Sequence, residues 1–198
     1  MCGRFETKPS IQSLVNALRK ENFDLDFDLE LEPIKSVNIA PTNKILSITL
    51  NNRTYKLSLS NWGIKFSPKS PLIFNSRIET ITEKKFWFNL FDKNRLLVPM
   101  SAFYEWKKEG TFKIPYRIFL PDEEIFFVPA LYHIDKEKNI FTSLITTTSN
   151  NFIKPIHHRM PIILKIKDGI NFLTDDAITN LKKCIPYNGK MDMEPASI

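Results

Sequence analysis

The second residue of the chain, Cys2, carries the chemistry that stands out first. Removal of Met1 would leave a thiol and an α-amine on one residue, and an aldehyde can react with both. An α-amine has a reference pKa of about 7.7–8.0 against about 10.4 for lysine, so it is the better Schiff-base former near neutral pH. Attack of the neighbouring thiol on that imine would close a five-membered thiazolidine. Taken alone, a cysteine at this position is more often incidental, so the assignment depends on the rest of the sequence.

Five short blocks of sequence supply that context: Cys2-Gly3-Arg4-Phe5, Asn38-Ile39-Ala40-Pro41-Thr42, Asn75-Ser76-Arg77-Ile78-Glu79-Thr80, Val98-Pro99 through Phe103-Tyr104-Glu105-Trp106, and Ile156-His157-His158-Arg159-Met160-Pro161. In this order and at this spacing they resemble the SOS-response-associated peptidase (SRAP) family from residue 2 to about residue 165. Any one block would be weak evidence, but their joint presence is highly specific. The resemblance implies a protein that binds abasic sites in single-stranded DNA, links to them through the N-terminal cysteine and shields them from strand cleavage.

The resemblance also implies roles for individual side chains. Cys2 matches the crosslinking nucleophile, Asn75 a side chain that orients the reacting group, and Glu105 an acid/base carboxylate. His157 matches the general acid/base that helps to open the deoxyribose ring, and it is preferred over His158 because the family pattern places this histidine two residues before Arg. Sugar opening and imine formation both need proton donors and acceptors. Without the resemblance, Glu105 would be taken for a solvated strand residue and each histidine for a structural or exposed one.

A second group of residues is assigned to DNA binding. Arginines at three positions resemble phosphate-contacting residues, aromatic side chains at three positions could stack on bases, and one threonine matches a family position near the DNA backbone. These are Arg4, Arg77 and Arg159, then Trp62, Phe66 and Trp106, and finally Thr146. Tryptophans more often fill cores and arginines more often solvate, so the alternative is a structural role. The chain departs from the family pattern at Lys65 and Ala102, which affects the expected loop geometry rather than the chemistry.

Three functions therefore stay open. The first is an abasic-site crosslinking enzyme of the DNA damage response, with a lyase step as a further activity. The second is a cysteine peptidase that uses Cys2, His157 and Glu105, acting on its own N-terminus by removing Met1. The third is a noncatalytic single-strand binding module. No cofactor or metal is expected, because the cysteines and histidines lack a CxxC or paired-ligand spacing.

The composition fits a single domain over residues 1–198. No apolar run is long enough to cross a bilayer and no secretory h-region follows Met1, so we expect no membrane association. Two cysteines far apart in sequence suggest a reducing cytoplasm, with nucleoid association if the source is bacterial. A net charge of +6 permits nucleic-acid binding without proving it. Single-stranded DNA with abasic sites is the expected partner, the replication machinery is considered as another, and a monomer is expected.

The elements that must position these residues can be read from periodicity. Ser10 is expected to cap a helix through about Lys20, and helices are also predicted over Thr80–Leu90 and Thr174–Lys183. Alternating residues predict an acidic-faced strand over Asp24–Leu31 and a hairpin from Ile45–Leu50 and Tyr55–Ser60. Further strands are predicted at Arg95–Val98, Phe103–Trp106, Tyr116–Leu120, Ile125–Leu131, Ile140–Thr146 and Ile162–Ile166. Short turns between strands favour antiparallel pairing, so we expect an α+β fold with a curved, barrel-like, mainly antiparallel sheet and a few flanking helices.

Overall fold

The secondary structure comes from a computed structural model, which describes residues 2–23, 25–27 and 36–198. The helices in this part of the chain are α1 (Ile11–Lys20), α2 (Ile78–Ile81), α3 (Lys85–Lys93), α4 (Ile166–Thr174) and α5 (Ala177–Lys183). The strands are β1 (Arg4–Glu6), β2 (Leu25–Phe27), β3 (Lys44–Asn51), β4 (Thr54–Trp62), β5 (Asn75–Arg77), β6 (Arg95–Met100), β7 (Ala102–Glu109), β8 (Phe112–Phe119), β9 (Phe126–Ile134), β10 (Ile140–Thr148), β11 (Arg159–Pro161) and β12 (Asp192–Pro195). No described helix is long and apolar enough to cross a membrane.

Five strands close into a barrel. β3 pairs with β4 and β6, β6 pairs with β9, and β9 pairs with β10, all antiparallel. β10 then returns to β4 and pairs with it in parallel, Phe141 opposite Asn61 and Thr142 opposite Trp62, which completes the ring. β2 adds to β4, while β5 and β11 add to β10. The expected α+β fold with a curved, mainly antiparallel sheet is therefore confirmed.

A second, four-stranded sheet lies beside the barrel and contains the start of the chain. Its strand order is β1-β7-β8-β12, and every pair is antiparallel. Only Ser101 separates β6 of the barrel from β7 of this sheet, so one nearly continuous extended segment serves both. Side chains from the two sheets share a core cluster that includes Cys2, Phe5, Trp62, Phe103 and Phe126. A larger cluster packs the helices against the barrel.

The sequence predicted the first helix correctly but not the helix at residues 80–90. The first helix is confirmed: the Ser10 hydroxyl accepts from the N–H of Ser13, and α1 buries Leu14, Val15 and Leu18. The single helix predicted over residues 80–90 is wrong, because the chain forms α2 and α3 with an extended Lys84 between them. Thr80 does not cap a helix there, since its hydroxyl donates to the carbonyl of Arg77 at 3.1 Å.

Two other predictions near the C-terminus need correction. Residues 162–166 form only an isolated bridge, between Leu164 and Phe127, before α4 begins at Ile166. The predicted helix at 174–183 starts later, at Ala177, because Asp176 caps α5 by accepting from the N–H of Thr179. The acidic strand predicted over residues 24–31 is seen as β2, and the rest of it lies outside the described residues.

A buried carboxylate fixes the N-terminal strand in the second sheet. Glu6 of β1 is only 1% exposed. Its side chain accepts from the Tyr104 hydroxyl at 2.6 Å and from the Arg117 guanidinium at 2.7 and 2.8 Å. Arg117 also contacts Glu194 of β12 at 3.1 Å. Side chains from all four strands of the sheet thus meet around one arginine, which ties β1 in place.

We expect Glu6→Gln to destabilise the protein at pH 7 by about 1.5–3 kcal/mol, because Tyr104 and Arg117 lose their charged acceptor. Burial alone would raise the pKa of Glu6, but Tyr104 and Arg117 together bring it below its ordinary 4.5. The stabilisation is therefore present above that value and lost as pH falls through the lowered pKa. Urea unfolding of both proteins from pH 7 to pH 3 should show the difference shrinking on acidification.

Glu194→Gln is the matched control, because Glu194 contacts the same arginine but is 57% exposed. Exposed ion pairs contribute little, so the loss should stay below about 1 kcal/mol. Equal losses from the two substitutions would contradict the importance given to burial of Glu6.

Candidate active site

The segment that carries Cys2 is held on both sides by backbone pairing. β1 pairs with β7, Arg4 opposite Tyr104 and Phe5 opposite Phe103. On its other side Phe5 exchanges two backbone hydrogen bonds with Ile39, at 3.2 and 2.9 Å. The Asn75 side-chain amide donates to the Cys2 carbonyl at 2.9 Å. Four of the five sequence blocks therefore converge on the first residues of the chain.

The Cys2 thiol is buried and uncharged. Cys2 is 0% exposed, and its Sγ donates to the carbonyl of Arg4 at 3.7 Å. Burial raises the pKa of this thiol above its ordinary value, and the nearby Glu105 carboxylate raises it further. A thiol in such surroundings stays protonated near neutral pH and is a poor nucleophile until a base takes its proton.

Glu105 is a suitable acid and base for that position. It lies on β7, only 2% exposed, and alternation along the strand puts it on the face opposite Tyr104. Burial raises the pKa of Glu105 to about 7, although the positive charge at the amino terminus of the chain opposes this rise. The carboxyl can therefore both donate and accept a proton near neutral pH.

His157 lies just before β11, and the amino-terminal charge that affects the pKa of Glu105 also affects that of His157. Its Nδ1 is 3.0 Å from the backbone nitrogen of Arg159 and 3.2 Å from the carbonyl oxygen of the same residue, so it can accept from the one or donate to the other, according to the tautomer of the ring. Burial lowers the pKa of His157, and so does the positive amino terminus. The exposed His158 stacks on it with ring centroids 4.5 Å apart. The pKa values of Cys2, Glu105 and His157 are thus all lowered by the same amino-terminal charge.

Two of the residues predicted to contact DNA belong to an internal cluster of hydrogen bonds. Arg159 is 6% exposed, and its guanidinium makes a bidentate ion pair with Glu79 at 2.8 and 2.9 Å. The same guanidinium donates to the carbonyl of Thr146 at 2.8 Å and to its hydroxyl at 3.2 Å. Thr146 itself is fully buried. Both residues therefore fasten β10, β11 and α2 together, and their assignment to DNA binding stays a prediction.

Trp62 is buried as well, and its assignment to base stacking stays a prediction. It is 0% exposed, and its ring packs edge-to-face on Phe5 at 5.0 Å and on Phe74 at 6.0 Å. Its indole N–H donates to the Phe74 carbonyl at 2.9 Å. Trp62 therefore supports the N-terminal segment from inside the core.

The other predicted DNA contacts remain accessible. Arg77 is exposed and Arg4 and Trp106 are half-buried. Phe66 is 51% exposed and packs edge-to-face with Phe86 at 5.1 Å and with Trp87 at 6.1 Å. The sequence reasoning missed Phe86 and Trp87, although three consecutive aromatic residues at 86–88 in a short helix were a signal. No group of three or more possible metal ligands comes together within residues 2–23, 25–27 and 36–198.

Comparison with known proteins identifies the family of this chain. Residues 1–197 match the family described as SOS response associated peptidase (SRAP). The chain belongs to the SRAP family. The abasic site processing protein YoaM of Bacillus subtilis is 34% identical over 83% of this SRAP chain and 75% of its own length. The abasic site processing protein YedK of Escherichia coli is 29% identical over the same shares of the two chains. A crystal structure of a Bacteroides thetaiotaomicron protein superposes with a TM-score of 0.80 at 25% identity, covering 99% of this chain and 92% of that one.

The raised pKa of Glu105 predicts a stability gain from its removal. A carboxyl whose pKa rises from 4.5 to about 7 on folding holds its proton more tightly in the folded state, so folding loses stability as pH rises between those values. The loss is complete above pH 7 and amounts to about 3 kcal/mol. Glu105→Gln carries no charge and should avoid it. In urea unfolding, the advantage of the Gln variant should grow from pH 5 to pH 8; a constant difference would contradict the raised pKa.

Proposed function

We propose that this SRAP chain, once Met1 is removed, forms a thiazolidine between Cys2 and the aldehyde of an abasic site in single-stranded DNA. The link would shield the lesion from strand cleavage as part of the DNA damage response. The relatives named as abasic site processing proteins support the substrate class. The observation that carries the proposal is the buried, protonated Cys2 thiol next to Glu105, a carboxyl whose pKa of about 7 suits proton transfer.

The reaction balances with the residues present. The closed abasic sugar first opens to its aldehyde, which is an isomerisation. The α-amine of Cys2 then adds to the carbonyl carbon, and the resulting carbinolamine loses one water to give an imine. The thiol adds across the C=N bond, forming the C–S bond while its proton ends on the nitrogen. The net change is loss of one water.

Each step needs a proton at a defined place, and the site offers suitable groups. Protonated Glu105 can assist departure of the carbinolamine hydroxyl, and the resulting carboxylate can accept the proton of the Cys2 thiol. Neutral His157 can move protons during sugar opening, because its lowered pKa keeps the ring uncharged at pH 7. Asn75 orients the reacting residue through its 2.9 Å hydrogen bond to the Cys2 carbonyl. The same groups, acting in reverse, would allow slow release.

The peptidase chemistry in the family name fits this site less well. A cysteine peptidase needs a thiolate, which proteins obtain by lowering the thiol pKa with a positive neighbour. Here burial and a carboxylate act in the opposite direction on Cys2. An imine mechanism has no such requirement, because the amine attacks first and the thiol follows within the same residue.

The decisive experiment uses an oligonucleotide with one abasic site and a denaturing gel. The protein that begins at Cys2 should give a heat-stable adduct, and Cys2→Ala should give none while its noncovalent binding stays within a few-fold. Mass spectrometry should place the adduct on the N-terminal peptide with the mass of the two components less one water. A stable adduct of equal yield from Cys2→Ala would remove the mechanism.

A chain with one extra residue before Cys2 tests the role of the amine. Its thiol, Glu105 and His157 are unchanged, but the Cys2 nitrogen is then an amide and cannot form an imine. The extended protein should not crosslink, and proteolytic trimming to Cys2 should restore the reaction. Strand scission without a stable adduct would instead indicate a lyase, and peptide cleavage by the extended protein a peptidase.

DNA binding should depend on Arg77 in a way that salt reveals. Arg77 is exposed, so we propose that it contacts a phosphate together with Arg4. Arg77→Gln should weaken binding of single strands and reduce the slope of log affinity against log salt concentration by roughly 0.7. Arg159→Gln should instead lower the melting temperature, because it removes the buried guanidinium that pairs with the half-exposed Glu79 and donates to Thr146. A larger change in salt slope for Arg159→Gln than for Arg77→Gln would contradict these assignments.

A further inference from the structure

His157 lies at the end of a turn that joins β10 to β11. This turn, residues 150–157 and called the His157 turn below, is closed by a hydrogen bond from the His157 backbone N–H to the Ile153 carbonyl at 3.0 Å. At its base the Ser149 N–H donates to the His158 carbonyl at 3.1 Å. The conformation of this turn therefore determines where the His157 ring lies.

Asn150 caps the start of the His157 turn. Its side-chain Oδ1 accepts from the N–H of Ile153 at 2.9 Å, and its backbone carbonyl accepts from the N–H of Lys154 at 2.9 Å, as at the N-cap of a helix. Ile153 is 0% exposed and packs in the core cluster that contains Cys2. Its N–H binds the Asn150 side chain and its carbonyl binds the His157 backbone, so one residue links Asn150 to His157.

The amide nitrogen of Asn150 binds the C-terminal segment. Nδ2 donates to the Tyr187 carbonyl at 2.7 Å and lies 3.3 Å from the Met191 Sδ. The backbone N–H of Asn150 donates to the Met160 Sδ at 3.4 Å. Because a carbonyl can only accept and an N–H can only donate, Tyr187 and Ile153 together fix the positions of the amide nitrogen and oxygen of Asn150. The side chain is thus held at both ends and can rotate only by breaking hydrogen bonds.

We propose that Asn150 is a positioning residue for His157: its Oδ1 holds Ile153, and through Ile153 the His157 turn, in the conformation that presents the imidazole for proton transfer. The inference rests on the proposed function, in which His157 moves protons while the abasic sugar opens. Asn150 acts through the backbone and takes no part in the proton transfers themselves. Its loss should therefore affect the rate of crosslinking and not the binding of DNA.

The first test compares Asn150→Ala with the unsubstituted protein, both beginning at Cys2, in single-turnover crosslinking to an oligonucleotide with one abasic site. The maximal rate should fall by up to about 100-fold, the scale of the loss when a reacting group is misplaced by about 1 Å. The DNA concentration that gives half the maximal rate should stay the same. Rates are measured well below the melting temperatures of both proteins.

Asn180→Ala is the matched control for a loss of stability. Asn180 is 0% exposed, and its side-chain amide donates to the carbonyls of Phe172 at 2.9 Å and Asp175 at 3.1 Å, at the junction of α4 and α5. Its removal also deletes a buried amide that binds backbone, so it should lower the melting temperature at least as much as Asn150→Ala. It should leave the crosslinking rate unchanged.

Asn150→Asp separates the two ends of the side chain. Aspartate keeps an oxygen that can cap the turn, but it cannot donate to the Tyr187 carbonyl. This variant should regain most of the crosslinking rate that Asn150→Ala loses, while limited proteolysis should release the C-terminal segment more readily. If Asn150→Ala fails to fold, Asn150→Gln replaces it, because the longer side chain keeps the amide but moves its oxygen away from the Ile153 N–H.

A double substitution tests whether the effect passes through His157. Adding Asn150→Ala to His157→Ala should slow crosslinking no further, because the group that Asn150 positions is already absent. Multiplication of the two separate effects would overturn the proposal. An unchanged maximal rate in Asn150→Ala would do the same, and so would a rate for Asn150→Asp as low as that for Asn150→Ala.

The ring signals of His157 give a readout that does not depend on the reaction. The chain has three histidines, so comparison with His157→Ala assigns the Cε1–Hε1 signal of His157 in NMR spectra of the free protein. Asn150→Ala should shift this signal and Asn180→Ala should not; the reverse pattern, or no shift from either, contradicts the proposal. If the proposed function fails, the unsubstituted protein gives no adduct at all, and the NMR comparison still decides whether Asn150 positions His157.

Discussion

The pairing of the first strand with its two neighbours is the constraint on which the rest of this structure depends. A chain terminus is ordinarily among the least ordered parts of a domain. Here β1 is fixed by pairing to β7, by the bridge to Ile39 and by the Glu6 carboxylate between Tyr104 and Arg117. Without these contacts Cys2 would have no defined position relative to Glu105 and His157. The sheet beside the barrel thus serves mainly to hold a terminal residue as precisely as an internal one.

Burial of the Glu105 carboxyl costs folding stability, and in our proposal the same carboxyl transfers protons. Glu105 is a buried carboxyl at a strand position where an uncharged residue would also be tolerated. Its raised pKa measures the free energy lost by burying the charged form. The Arg159–Glu79 pair is a contrasting case, since each of its charges has a close partner and the guanidinium has further acceptors in Thr146. In our proposal Glu105 serves proton transfer, whereas the Arg159 guanidinium holds the scaffold together through Glu79 and Thr146.

The sequence predicted the longer elements of the fold better than the short strands and the burial of side chains around the site. Periodicity identified α1 and most barrel strands, because each has a clear buried face. It could not detect β1, β5 or β12, which are three or four residues long and too short to show a pattern. Cys2, Asn75, Glu105 and His157 were assigned through the family resemblance, and their roles stay predictions. The burial of Trp62, Thr146 and Arg159 could not be read from residue type, because a partner such as Glu79 is distant in sequence. Their DNA-binding roles also stay predictions.

The position of β1 at the start of the chain also affects the order in which the strands of its sheet become available during synthesis. The N-terminal strand leaves the ribosome first, but its partner β7 follows about a hundred residues later and β8 after that. Until those strands emerge, the start of the chain has no sheet to join, and Cys2 cannot enter the cluster that later covers it. Removal of Met1, which the proposed function requires, therefore has the whole interval in which the rest of the sheet is being made. The topology separates the emergence of the terminus from its burial in time.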